Sequence, residues 1–147
     1  MKFRLVITLI FLGLLFSPAV TAQDSLYAKR IDSLWLHSYN RRLLSNQRAT
    51  IGEARLDYCF YKGSGKMRSI TSLNKAQEEN LIFFYLDDKL VMISPSGQQP
   101  YFILNDSLVY AEQVLHTSGQ IRELTARAYN CLGQGYIGIR NSGSRRR

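Results

Sequence analysis

Few residues in this 147-residue chain could do covalent or metal chemistry: two cysteines, Cys59 and Cys131, and two histidines, His37 and His116. A metal site needs several ligands converging on one point, and neither histidine sits in an H-x-x-x-H spacing that would bring two rings to one helix face. A thiolate nucleophile would need a histidine beside Cys59 or Cys131, and the spacing along the chain supplies none. The paired acids Glu78-Glu79 and Asp87-Asp88 fall in expected turns, where solvated carboxylates are ordinary and a general acid of raised pKa is not. Gly63-Ser64-Gly65-Lys66 ends like a phosphate loop. Phe60, however, stands where that loop's first glycine belongs, and Met67 where its magnesium-holding hydroxyl belongs, so the segment reads as a turn. The expectation is no catalytic group, no cofactor and no metal. What remains is a candidate disulfide, Cys59 to Cys131, closing a loop of about 73 residues and worth roughly 4 kcal/mol by chain entropy.

Whether those cysteines meet an oxidising compartment depends on the N-terminus. Met1-Lys2-Phe3-Arg4 is a positive start, Leu5 to Phe16 is unbroken apolar sequence, and Ser17-Pro18 precedes the small-residue site Val20-Thr21-Ala22. This order predicts a signal peptide over 1–22, cleaved after Ala22, because an apolar core of about 12 residues is too short to span a bilayer. The mature chain is then expected in the periplasm or beyond, with no permanent membrane anchor, where disulfides form. Losing Lys2 and Arg4 takes 19 basic residues to 17 against 11 acidic ones, so +8 becomes +6. Half of that sits in Arg145, Arg146 and Arg147 after the polar run Asn141–Ser144, and 141–147 is read as a disordered basic tail able to touch anionic surfaces. A body of only about +3, exported, is not expected to bind nucleic acid.

The elements that must position everything else follow from periodicity. Asp24-Ser25 can cap a helix with apolar residues at Ala28, Ile31, Trp35, Tyr39 and Leu43, and a polar connection leads to Gly52. Alternation over Ala54–Tyr61 predicts a strand, and Met67–Leu73 a second one, half exposed or at an edge. Two segments eighteen residues apart then match: Phe84-Tyr85-Leu86-Asp87-Asp88-Lys89-Leu90-Val91 and Phe102-Ile103-Leu104-Asn105-Asp106-Ser107-Leu108-Val109. The shared pattern F-x-L-[DN]-D-x-L-V is a β-hairpin written twice, so Leu81–Tyr110 should be a four-strand meander. A three-residue turn would set Leu86 opposite Leu90 and Phe84 opposite Met92. Both faces of this meander are apolar, so both must be covered. A second helix is expected over roughly 114–132, with a last short strand at Tyr136–Arg140. The fold class is α+β, an antiparallel β-meander of five or six strands with an N-terminal and a C-terminal helix packed on it, in one domain over 23–140.

With its repeated F-x-L-[DN]-D-x-L-V hairpins, signal peptide and flanking helices, the chain resembles small uncharacterised exported proteins of Gram-negative bacteria. The resemblance implies a periplasmic or secreted setting and brings no known activity or site residues. Functionally, the aromatic-rich sheet points to a non-enzymatic binding module for a protein or envelope component, or for a second copy of the chain. Phe83, Tyr85, Tyr101 and Ile103 are the candidate binding surface. The alternative is a small-ligand or enzymatic pocket where a curved sheet meets the helices, lined by tyrosine, His37 or Asp57.

Overall fold

The two repeated hairpins turn on two residues each, Asp87-Asp88 and Asn105-Asp106, and all four hold positive φ between 50 and 64°. Paired left-handed residues make the type I′ turn whose twist matches that of the strands, and Asn and Asp tolerate that conformation better than other non-glycine residues. A computed structural model describes residues 21–144, in the order α1 (Ala22–His37), β1 (Leu44–Ile51), β2 (Ala54–Tyr61), β3 (Met67–Asn74), β4 (Glu79–Leu86), β5 (Lys89–Pro95), β6 (Tyr101–Leu104), β7 (Ser107–Tyr110) and α2 (Ser118–Ser144). Residues 1–20, most of the segment read as a signal peptide, and Arg145–Arg147 lie outside the described residues.

The architecture is α+β, with all seven strands forming one open antiparallel meander in chain order. The count exceeds five or six because Leu44–Ile51, expected as a connection, is an edge strand paired to β2 along its whole length. Its Asn46, Arg48 and Thr50 face solvent, so it lacks the apolar alternation that marks buried strands. Such polarity is how exposed edges resist pairing with other chains. Met67–Asn74, flanked by β2 and β4, is interior rather than an edge.

Two-residue turns also change the facing pairs. Leu86 lies opposite Lys89, Tyr85 opposite Leu90 and Phe84 opposite Met92, so Val91 is an extra, bulged residue. In the second copy Val109 is extra between Leu108 and Tyr110. A bulge sends two successive side chains to one face. Val91 and Met92, like Val109 and Tyr110, therefore join Phe84 and Phe102 on the face that Ala28 and Ile31 of α1 cover. Leu90, expected beside Leu86 and Met92, is moved to the opposite face. There it packs with Phe83, Tyr85, Ile93, Tyr101 and Ile103 beneath Ile121, Ala128 and Leu132 of α2. Each apolar face thus has its own helix.

The C-terminal helix runs to Ser144, through both the short strand expected at Tyr136–Arg140 and the flexible run expected from Asn141. The helix continues because Tyr129 and Tyr136 dock on the hairpin turns. Tyr129 Oη donates to Asp106 Oδ1 at 2.6 Å and accepts from the Leu90 amide at 3.2 Å. Tyr136 Oη donates to Asp88 Oδ1 and accepts from the Met67 amide at 3.0 Å. Seven residues of helix advance about 10.5 Å, and two strand spacings are about 9.6 Å, so the heptad step matches the hairpin repeat. The second acid of each turn is thereby explained. At the N-terminus, Thr21 and Asp24 form a capping box around α1, with the N-cap three residues before the Asp24 read as the cap from the sequence. The helix ends at His37 with Ser38 as its C-cap, so Tyr39 and Leu43 lie beyond it.

Buried tyrosines give the fold a defined alkaline limit. Burial pushes the Tyr85 hydroxyl far above its ordinary value, and its proton is donated to the Ala128 carbonyl at 2.7 Å. Burial, followed by the bond to Asp88, pushes Tyr136 up to about 12. A group whose folded pKa is raised stabilises the fold fully below its unfolded pKa, here 10.0, and less as pH climbs above it. Stability should therefore fall above pH 10 by about 1.4 kcal/mol per pH unit for Tyr85 alone. Urea unfolding on either side of pH 10 measures this, and Tyr85→Phe should flatten the slope. An unchanged slope in that variant would refute the assignment.

Candidate functional site

The α1 helix begins over β6 and β7, passes Phe84 on β4 and stops at β3, leaving the same face of β1–β3 open. The strands there carry polar residues: Asn46 and Arg48 on β1, Asp57 and Cys59 on β2, Thr71 on β3. With Trp35, Leu36 and Tyr39 at the end of α1 they line a groove of about 690 Å³. Arg48 and Asp57 form its floor. Asp57 is held between Arg48, 2.6 Å away, and Arg55, 2.7 Å away. The bond from Arg55 is the largest influence drawing the Asp57 carboxyl below its ordinary range, with Arg48 adding to it against partial burial.

The groove's back wall is Arg68. The β2–β3 hairpin carries the same irregularity as its two successors: Cys59 pairs with Ser69 and Phe60 with Met67, so Arg68 is the bulged residue. It occupies the place of Val91 and Val109, and the bulge likewise turns it toward α1. Arg68 as a whole is 2% exposed. Nε donates to Ser38 Oγ at 3.0 Å, one terminal nitrogen to the Trp35 carbonyl at 2.9 Å, and the other to Ser69 Oγ at 3.3 Å. The rings of Trp35, Tyr39 and Phe84 surround it, with centroids 4.3, 5.5 and 5.5 Å away. None of the ion pairs among the described residues includes it. The charge is offset by ring quadrupoles, neutral acceptors and the negative end of the α1 dipole. Three of five N–H groups are used in those bonds.

Cys59 lies in the groove beside Arg68 and Ser69. Burial raises its thiol pKa more than Arg68 and Ser69 lower it, so at neutral pH it is a thiol, not a nucleophilic thiolate. Cys131 belongs to α2, which covers the opposite face of the sheet, and both cysteines are free. The expected disulfide is thus corrected. A bridge needs Cβ atoms about 3.8 Å apart, and here the sheet itself stands between them.

The structure brings together only part of the expected site. Phe83, Tyr85, Tyr101 and Ile103, expected as a binding surface, are all 0% exposed in the core under α2. Of the residues weighed for a pocket, Asp57 lines the groove, whereas His37 is exposed and bonded to Ser33 of its own helix. His116 meets Tyr101 Oη at 2.7 Å, away from the groove. Arg68, Arg48, Trp35 and Tyr39 were not expected as a group. A third, degenerate copy of the hairpin was the one available signal for Arg68, and its apolar landmarks are too few to align. Among the described residues no helix is long and apolar enough to cross a membrane, and no three metal-ligating side chains converge. Comparison with protein-family models, curated proteins and solved structures finds no match.

Proposed function

We propose that the chain is an exported, non-enzymatic binding module whose groove between the end of α1 and the open face of β1–β3 takes a small anionic ligand with an apolar body. The observation that carries this reading is Arg68, a buried arginine without a carboxylate, at the back of a groove whose floor holds one further arginine, Arg48, and one acid, Asp57, whose charge Arg55 also offsets. Buried positive charge in a low-dielectric wall raises the potential in the cleft in front of it. Trp35, Leu36 and Tyr39 supply apolar contact, and Asn46 and Thr71 supply hydrogen-bonding groups, the mixture typical of small-molecule clefts. The thiol state of Cys59 supports binding over covalent chemistry.

Isothermal titration with aryl carboxylates and sugar phosphates, each against its neutral amide or alcohol counterpart, tests the reading. At least one anion should bind while its neutral partner does not. Arg48→Gln should weaken that binding about fivefold, on the scale of one charge-assisted contact of about 1 kcal/mol at a wet site. Equal binding of charged and neutral members, or none of either, would remove the proposal.

A further inference from the structure

From the rim of the groove outward, the last turn of α1 and the segment after it expose apolar and cationic side chains in alternation. Leu36, Tyr39 and Leu43 are 65, 53 and 59% exposed, and Arg41 and Arg42 project between them. The Lys62 amide donates to the Leu43 carbonyl at 2.9 Å, which sets a third exposed cation beside the same loop. None of these three cations enters an ion pair or side-chain hydrogen bond among the described residues.

We infer that the loop Leu36–Leu43, with Lys62, docks the protein on an anionic lipid surface. Three half-exposed apolar side chains offer on the order of 300 Å², well short of the roughly 800 Å² a stable protein partner covers on each side. A bilayer interface has no such requirement. It accepts isolated apolar tips into the acyl boundary, seats tyrosine at the headgroup level, and attracts the cations that flank them. The charge is complementary to lipid phosphate, and no acid within the loop opposes it. The surface is also rigidly placed, since Tyr39 lies 5.5 Å from buried Arg68 and Leu43 is tied to the β2–β3 turn.

The test is vesicle cosedimentation of the purified full chain, its N-terminus fixed by mass spectrometry, on phosphatidylcholine and on an equal mixture of phosphatidylcholine and phosphatidylglycerol. Trp35, the chain's single tryptophan, reports docking by its emission. The protein should bind the mixed vesicles and not the neutral ones. Arg41→Gln with Arg42→Gln should weaken binding roughly 25-fold, about fivefold for each cation at an anionic surface. Leu36→Ser with Leu43→Ser should weaken it as well, and because all four side chains are exposed the fold should not change. Replacing Arg145, Arg146 and Arg147 by glutamine should leave most of the binding. Absence of binding to the mixed vesicles would overturn the inference. So would binding that survives the four loop changes, binding lost only with the terminal arginines, or capture of an acidic peptide by the loop with no vesicle binding. Groove binding by small anions in solution is measured separately, so either conclusion can fail alone.

Discussion

Arg68→Ala is expected to destabilise the protein by about 3 kcal/mol, more than any other single change in the open half of the sheet. The side chain ties three elements together: it reaches Ser38 Oγ and the Trp35 carbonyl at the end of α1, and Ser69 Oγ on its own strand. Removing it orphans a helix-terminal carbonyl and leaves a void between three rings. Hydrogen bonds to a charged group contribute about 1.5–3 kcal/mol each and do not add, and cation–π contacts add about 0.5–2. Arg68→Met tests the electrostatic share. It refills the space without the charge or its hydrogen bonds, so the methionine variant should recover only the packing share of the loss while losing anion binding. Urea unfolding followed by Trp35 emission gives both values. A loss below about 0.5 kcal/mol for Arg68→Ala would show that α1 is held on the sheet without this contact.

Gly135→Ala should cost about 2 kcal/mol even though alanine is the better helix former. A Cβ built at Gly135 comes within 2.7 and 2.8 Å of the Tyr58 ring and 3.0 Å of the Met67 methyl. Tyr58 is a buried ring locked between β1, β3 and α2, so it cannot swing aside as a flexible side chain would. Overpacking of this kind costs about 1–3 kcal/mol and outweighs the roughly 1 kcal/mol that alanine gains over glycine in a helix. Gly133 is the internal control, because a Cβ there meets nothing within 4 Å. Gly133→Ala should stabilise by up to about 1 kcal/mol. Opposite signs two residues apart, measured by urea unfolding, would establish that α2 lies closest to the sheet at Gly135. Matching signs would mean that the helix sits farther out.

The candidate site was the less legible part. Arg48, Asp57 and Arg68 are common residues on strands with no sequence motif, and they form a groove only because α1 stops at β3. Arg68 in particular reads as an ordinary exposed cation between Met67 and Ser69. Only a bulge, shared with two more regular hairpins, points it inward. The disulfide expectation failed for a related reason: two cysteines count as a pair along the chain, but a sheet has two sides.

By itself the sequence determined what local physics controls. Doubled Asx-rich turns between apolar runs dictated the four-strand meander, because only a hairpin satisfies that alternation. Apolar residues on both faces required two covers, and the helical periods at each end supplied them. Tertiary structure decided the rest. It made a strand of the polar segment Leu44–Ile51 by giving its backbone a partner. It kept residues 136–144 helical by docking Tyr136 on Asp88. It also set one-residue bulges that no hydrophobic period records, yet which fix the face that each following side chain takes. Side-chain pattern reports how much surface must be buried, whereas register, helix length and stopping point are set by the partners each element finds.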